Sequence, residues 1–441
     1  MAIILPFRAL RYDPTKVALG QVVTQPYDKI TPAMQEKYYR ASPHNLVRII
    51  LGKADVEATA GDVYSRAAAY FREWRQQGIL RQDEEPSLYV YAQRFAVPGA
   101  EGVAVERRGV IGLGRIEDYE ARVVFRHEQT HTKPKQDRLN LLRATRAHFG
   151  QIFMLYSDPA GTVDAAMATK SAPLIEVSDE YGGEHRVWRI NDRRTVERVR
   201  ELMTDRKLII ADGHHRYETA LSYRNECRAA AASPQSPFAS GEAACEYVMM
   251  TLVNMDAEGV VILPTHRVVY GLPGFDKDLF LRSLWGYFEV EQGPAVSDVA
   301  GMMRVLRAAG IGVGSRTAIM AVTANESFLL RARADAADSL LAGFSPRQRQ
   351  LDVVQLHAVL LQEVLGISES DIREQKHILY LRDAAEAVEK VRRGQANVAF
   401  LMNPVSMEQV RDIALAGEVL PQKSTDFYPK LLSGLTIYAL D

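Results

Sequence analysis

The stretch Lys207-Leu-Ile-Ile-Ala-Asp212-Gly-His-His-Arg216-Tyr-Glu-Thr-Ala-Leu221 limits what this chain can become more than any other. A short apolar run of β type, Leu208 to Ala211, stops at Asp212-Gly213-His214-His215-Arg216, and a helical pattern begins at Tyr217 and carries Ala220, Leu221 and Tyr223. A strand that turns through a glycine into a helix aims the N–H groups of the first turn, and the positive end of the helix dipole, at one spot. Two imidazoles and a guanidinium at that spot add donors suited to phosphate oxygens. The segment predicts a polyphosphate cradle that matches neither the P-loop nor the dinucleotide glycine pattern. The plainer reading is a polar turn whose histidines serve local backbone groups. Two adjacent histidines plus an arginine at a strand–helix junction weigh against it.

With 441 residues, a prior of about 150 residues per domain predicts two or three domains. The formal net charge of −1 gives no whole-chain field that would draw in nucleic acid or an anionic membrane, and neither partner is expected. Cys227 and Cys245 form no CxxC pair and no disulfide framework, which fits a reducing cytoplasm. The apolar start, Met1 to Leu5 before Pro6, is too short for a secretory signal. No stretch approaches the roughly 20 apolar residues of a spanning helix.

Along the chain the pattern is mixed. Thr31 and Pro32 open a helix through Tyr39, an N-cap followed by proline at the first helical position. Asn45–Leu51 reads as a buried strand, and residues 57–80 as an amphipathic helix with Tyr64, Ala67, Phe71 and Trp74 on one face. Strands are expected at Ser87–Phe95 and Glu106–Gly114, and a helix over Leu139–Phe149. The Ala-, Ser- and Pro-rich stretch Ala229–Ala244 reads as a mobile loop. Beyond it, Tyr247–Asn254 and Val260–Val269 read as a strand pair, and Ala318–Thr323 with Ser327–Ala332 as another. Helices are expected near 347–366 and 383–393, and Ala396–Met402 with Ser406–Ala416 closes the series as a strand–helix unit. The class is α+β.

Other constellations carry chemistry. Gln25-Pro-Tyr-Asp28 places a carboxylate after a strand, and helix capping is its plainer use. His127-Glu128-x-x-His131 is the zinc-protease spacing, which needs both histidines on one helical face and a third ligand. Here Val123–Phe125 reads as a strand and Pro134 follows soon after, so no zinc site is expected. The same segment gathers Arg126, His127, Lys133, Lys135 and Arg138 within 13 residues. It reads equally as a second anion-contacting loop or a solvated charged one. Gly109, Gly112 and Gly114 have the wrong order for a Rossmann turn. Lys423-Ser424-Thr425 and Phe427-Tyr-Pro-Lys430 form a polar closing loop, with apolar Leu431–Leu440 to pin it.

Taken together, Pro6-Phe7-Arg8, Pro26-Tyr27-Asp28, Arg126-His-Glu with Asp137-Arg138, Ala211-Asp-Gly-His-His-Arg216 and Lys423-Ser-Thr425 with Tyr428-Pro-Lys430 resemble the domain-of-unknown-function 1015 family over essentially the full length. More distantly, the chain resembles archaeal free-serine kinases of the ParB/sulfiredoxin-like superfamily. Those kinases have a Pro-His-Glu turn, a Val-Asp-Gly-His-His-Arg turn and a closing Pro-Lys-Thr-Thr. The matching positions here are Pro26-Tyr27-Asp28, Ala211–Arg216 and Pro421-Gln-Lys-Ser-Thr425. Two departures stand out: Asp28 is one methylene shorter than the kinase glutamate, and roughly 150 residues separate the two halves of the site.

That resemblance implies a ParB/sulfiredoxin-like nucleotide-binding core from 1–51 with 206–270, an inserted α+β segment 52–205, and a C-terminal α/β substrate-binding part 271–441. It implies transfer of phosphate from ATP or ADP, with Mg²⁺, to the hydroxyl of a small amino acid, free L-serine foremost. Asp28 would be the general base and Asp212 would bind Mg²⁺ or orient the acceptor. Gly213, His214, His215 and Arg216, with Arg126, His127 and Arg138, would hold phosphates, and Lys423, Ser424 and Thr425 the substrate carboxylate. The alternatives are a non-catalytic CTP or ATP switch of the ParB type and a zinc hydrolase built on His127-Glu128-x-x-His131.

Overall fold

The computed structural model describes residues 1–54, 62–100, 102–128, 132–169, 171–231, 244–310, 317–334 and 336–441, with backbone only at 132–134. These residues form two compact units, one made of 1–126, 130–261 and 429–441, the other of 127–129 and 262–428. The class is α+β, as the residue pattern implied.

The first unit is built on a nine-stranded sheet. Its order runs Val124–Phe125, Leu208–Asp212, Ile152–Tyr156, Tyr247–Asn254, Ala104–Arg115, Leu88–Ala96, Glu184–Ile190 and Ile175–Ser178, with Ile4–Leu5 also pairing along Ala104–Arg115. Most neighbours are antiparallel. Leu208–Asp212 on Val124–Phe125, and Tyr247–Asn254 on Ile152–Tyr156, run parallel. Alternate residues of these strands, among them Val90, Val110, Met154, Ile210 and Leu252, face one core with Val196, Val199 and Met203 of the helix Arg193–Met203. This is the two-residue period of strands meeting the 3.6-residue period of a helix. A second core joins Leu10, Tyr12, Leu46, Phe71, Trp74, Phe149 and Ile437. In Ala104–Arg115, glycine is required for close packing: a Cβ on Gly114 would lie 2.2 Å from Met250 Sδ.

The second unit carries a six-stranded antiparallel sheet, ordered Phe288–Gln292, Ser327–Ala332, Ala318–Val322, Val398–Leu401, His266–Val269 and Ile378–Leu381. The helices Val299–Ala309 and Ala384–Arg392 bury Met302, Leu306, Ala387, Val388 and Val391 on its core.

Local chemistry explains the element boundaries. Thr31 Oγ1 accepts from Met34 N, and Pro32 opens the helix Pro32–Ala41. Asp62 caps Val63–Gln76 by accepting from Ser65 N at 2.7 Å. Asn45–Leu51 is not the expected strand. Val47–Ile50 is a short helix, because Asn45 Oδ1 accepts from Val47 N and its Nδ2 donates to Gln21 O. The expected pairing of Tyr247–Asn254 with Val260–Val269 is absent too. Tyr247–Asn254 already has Ala104–Arg115 on one edge and Ile152–Tyr156 on the other, and His266–Val269 joins the second unit's sheet. The helix expected over Leu139–Phe149 spans Thr132–Thr145, with Pro134 in its first turn, where a missing N–H costs nothing. Residues 52–205, expected as an insertion, contribute four central strands of the first unit's sheet, and the expected boundary at 271 falls at 262. Most of the loop expected at Ala229–Ala244 lies outside the described residues. Among the described residues no helix is long and apolar enough to cross a membrane.

Candidate functional site

The strand Leu208–Asp212 carries a bulge at its end. Ile210 lies opposite Met154 and Asp212 opposite Phe153, so Ala211 is the extra residue. A bulge bends the strand and re-aims the next side chain, which here is Asp212. Gly213 then takes φ +94°, a left-handed conformation that favours glycine. The helix begins at His214, three residues earlier than its apolar period shows, and runs 18 residues to Ala231. The Tyr217 N–H donates to Gly213 O at 2.9 Å. His214, His215 and Arg216 therefore occupy the first turn, at the positive end of the dipole. His214 is buried, and His215 and Arg216 are half-buried.

Arg216 is fixed by its neighbours. Its Nη2 donates to Asp212 Oδ2 at 2.7 Å and its Nη1 to the carbonyl of Gln151. A Cβ on Gly213 would sit 3.0 Å from the Arg216 Cζ, and one on Gly150 would sit 3.2 Å from Nη1. Two glycines thus make the slot for the guanidinium. The second Asp212 oxygen accepts from Lys430 Nζ at 3.1 Å. Burial works against ionisation of Asp212, but Lys430, Arg216 and Lys29 outweigh it and hold its carboxyl far below the usual carboxylate range.

Lys430 is itself held from behind. Arg107, 1% exposed, donates to Pro429 O and Gln93 Oε1, and Gln93 Nε2 donates to Lys430 O at 3.0 Å. The Arg107 guanidinium lies 4.6 Å from the Phe153 ring centre, and burial pushes its pKa down to about 10.

A cleft of roughly 70 Å³ borders Arg216 and is lined also by Arg138, Tyr27, Thr219, Phe149 and Ser433 among others. Arg138 sits 4.2 Å from the Tyr27 ring centre and donates to Ile50 O at 2.6 Å and to Asp137. Burial raises the Tyr27 hydroxyl pKa and Asp28 adds to the rise, while Arg138 and Arg216 oppose it. Thr219 Oγ1 is buried and has no hydrogen-bond partner among the described residues. The cleft thus joins two guanidinium groups and an unpartnered hydroxyl to an apolar wall that includes Leu141, Leu142 and Val248.

The remaining expected residues fall as follows. Asp28 is exposed on the short turn Tyr27–Lys29 and caps no helix, since Thr31 does that. Arg126 pairs with Glu218 at 3.6 Å and packs on the Tyr119 ring, outside the cleft lining. His127, Lys423, Ser424 and Thr425 belong to the second unit. There Thr425 Oγ1 meets His127 Nε2 at 2.7 Å and Glu128 Oε1 at 3.2 Å, Ser424 donates to Pro421 O, and Lys423 O accepts from Arg267. Glu128 bridges Leu420 in extended backbone, so His127-Glu128 do not start a helix as the zinc spacing needs. His131 lies outside the described residues. Among the described residues no group of three or more His, Cys, Asp or Glu is placed to hold a metal. The sequence reading missed Lys430 and Thr219 as site residues, though Pro429-Lys430 ahead of an apolar tail marked the first.

A family model described as "Protein of unknown function (DUF1015)" matches residues 4–354. No curated protein matches the chain. Among solved structures, a conserved hypothetical protein from Pyrococcus furiosus is similar at 13% identity, covering 72% of this chain and 92% of its own, with TM-score 0.35. A free serine kinase in complex with AMP is similar at 12% identity over 71% of this chain and 89% of its own, TM-score 0.34. SbnI from Staphylococcus aureus, truncated at its C-terminus, is similar at 10% identity over 73% and 85%, TM-score 0.34.

Proposed function

The chain belongs to the DUF1015 family, and for it we propose a phosphotransferase that moves a nucleotide phosphate to the hydroxyl of a small amino acid, free L-serine foremost. The observation that carries this reading is the Asp212–Arg216–Lys430 cluster. A helix N-terminus, a guanidinium and an ammonium are organised by one carboxylate at a glycine turn, beside a cleft that Arg216 borders. Phosphoryl transfer asks a protein chiefly for positioning and charge neutralisation, and this cluster supplies both. Two arginines on the cleft lining suit the phosphate end of a nucleotide.

Within this reading Arg216, with the first-turn residues Gly213, His214 and His215, holds the phosphates, and Arg138 faces them across the cleft. Asp28 accepts the acceptor hydroxyl's proton. The oxygen so freed bonds to the terminal phosphorus as the bridging P–O bond breaks, and the electron pair leaves on the shortened nucleotide. Asp212 positions Arg216 and Lys430. Both its oxygens already face cations, a poor fit for a metal ligand. The Mg²⁺ implied by the kinase resemblance would find oxygens on the nucleotide's own phosphates and water.

The test incubates purified protein with Mg²⁺, ATP or ADP, and L-serine, and reads O-phosphoserine by mass spectrometry. Formation in wild type, reduced about 10²-fold or more in Asp28→Asn with nucleotide affinity kept, is the expected result. Full activity of Asp28→Asn removes the assigned base. Nucleotide binding with no product for any small hydroxy amino acid would replace this reading by a nucleotide-dependent switch.

A further inference from the structure

The first unit has a second cavity that the phosphate site does not use. Its polar groups come from Thr24, Lys37, Tyr38, Asp179 and Glu180, and its apolar wall from Leu432 and neighbours. Thr24 is 1% exposed, and its Oγ1 has no partner among the described residues. Its backbone is locked, since Thr24 N donates to Ser433 O and Ser433 N to Thr24 O. A buried hydroxyl left in this state calls for a partner, and Thr24 lines the cavity.

Of the two carboxylates, Asp179 is half-buried and Glu180 is exposed. Asp179 accepts from Tyr181 N, Gly183 N, His185 Nε2 and Gln25 Nε2 at 2.8 to 3.4 Å. Burial opposes its charge, but His185 and the two amides prevail and keep its pKa low. Glu180 accepts from Tyr38, whose hydroxyl in turn accepts from Gln25 N at 3.3 Å. Lys37 forms no ion pair among the described residues. Two carboxylates against one ammonium leave the lining net negative, with a buried hydroxyl beside them and a short apolar wall.

We infer that this cavity binds a small molecule bearing a primary ammonium group, whose hydrogens go to Glu180 and Thr24 Oγ1. The inference stands apart from the phosphotransferase reading, since it uses none of that site's residues. Lys37 at the rim distinguishes two sources of the group: an α-amino acid would also place its carboxylate on Lys37, and a plain diamine would not.

The experiment is calorimetric titration of the full chain with L-alanine, putrescine and acetate. L-Alanine has no hydroxyl to act as acceptor. The expected result is saturable binding of an ammonium probe and none of acetate. That binding should weaken about tenfold or more in Glu180→Gln and in Thr24→Val, and also in Ala41→Phe, which adds a large side chain to the cavity lining. Loss of L-alanine binding in Lys37→Met identifies the amino-acid source, and unchanged putrescine binding the amine. Absence of saturable binding by either ammonium probe overturns the inference. So does binding that survives undiminished in both Glu180→Gln and Ala41→Phe when circular dichroism shows those variants folded.

Discussion

Lys430 is the residue on which the charge balance around Asp212 turns. Its side chain is 8% exposed, and its ammonium meets one Asp212 oxygen while Arg216 holds the other. In Lys430→Met the carboxylate loses one cation and keeps Arg216 and Lys29, so its pKa rises toward the ordinary range. A carboxyl whose folded pKa is depressed contributes stability above its unfolded pKa, near 4, and loses it only as pH falls through the folded value. In wild type that loss lies far into acid. Lys430→Met should bring it up, moving the acid-unfolding midpoint to higher pH and lowering neutral stability by roughly 2 kcal/mol, since Arg216 remains. Urea titrations of both proteins from neutral to acid pH measure this, and superimposed curves would remove Lys430 from the cluster. The pairing was hidden in the sequence because 218 residues separate the partners. The apolar run after Lys430 indicated only that its segment would be pinned. The strand-to-helix turn at Gly213 was legible, but the Asp212–Arg216 pair was not, since Asp212 was expected to bind Mg²⁺ or orient the acceptor.

At the scale of elements, the turn at Gly213 decides whether the helix can present Arg216. Alanine there would need φ +94° and would put a Cβ 3.0 Å from the guanidinium. Gly99 also has positive φ, +76°, but a Cβ on it meets nothing within 4 Å. The backbone cost is therefore shared, about 1 kcal/mol, and the steric one is not. Gly213→Ala should weaken ADP binding about tenfold or more by calorimetry, while Gly99→Ala leaves it unchanged. Equal affinities in the two variants would mean that Arg216 does not hold the phosphates. Elements with their own punctuation were read well. Thr31-Pro32 fixed one helix start, and the turns flanking Ala318–Val322 and Ser327–Ala332 fixed a hairpin. Asn45–Leu51 was misread because a short buried apolar run has no period to separate strand from helix. What decided it was an asparagine side chain bonding to Gln21 and Val47. His266–Val269 was assigned to the wrong partner because which strand a central strand accepts is settled by the sheet, not by the nearest segment in sequence.

For the whole molecule, the two units bury separate cores, one around the nine-stranded sheet and one around Val268, Met320 and Leu401. Chains built this way commonly unfold in more than one step, and a titrating group in one unit offers a handle on that step alone. Asp352, in the second unit, has its carboxyl pushed up to about 7 by burial, against hydrogen bonds from Ala318 N and Thr317. Here the folded form holds the proton more tightly than the unfolded chain. Its contribution is therefore fully present below about pH 4, falls as pH rises toward 7, and stays lost above that. Asp352→Asn keeps an oxygen for the Ala318 amide and has no charge to bury. By calorimetry it should leave the unfolding midpoint unchanged near pH 4. At pH 8 it should raise the second unit's transition by several degrees, on the order of 2–4 kcal/mol. Lys430→Met should act on the first unit's transition instead. If Asp352→Asn raised the midpoint equally at both pH values, its effect would be packing, because only a buried charge gains its cost as the solution becomes more basic.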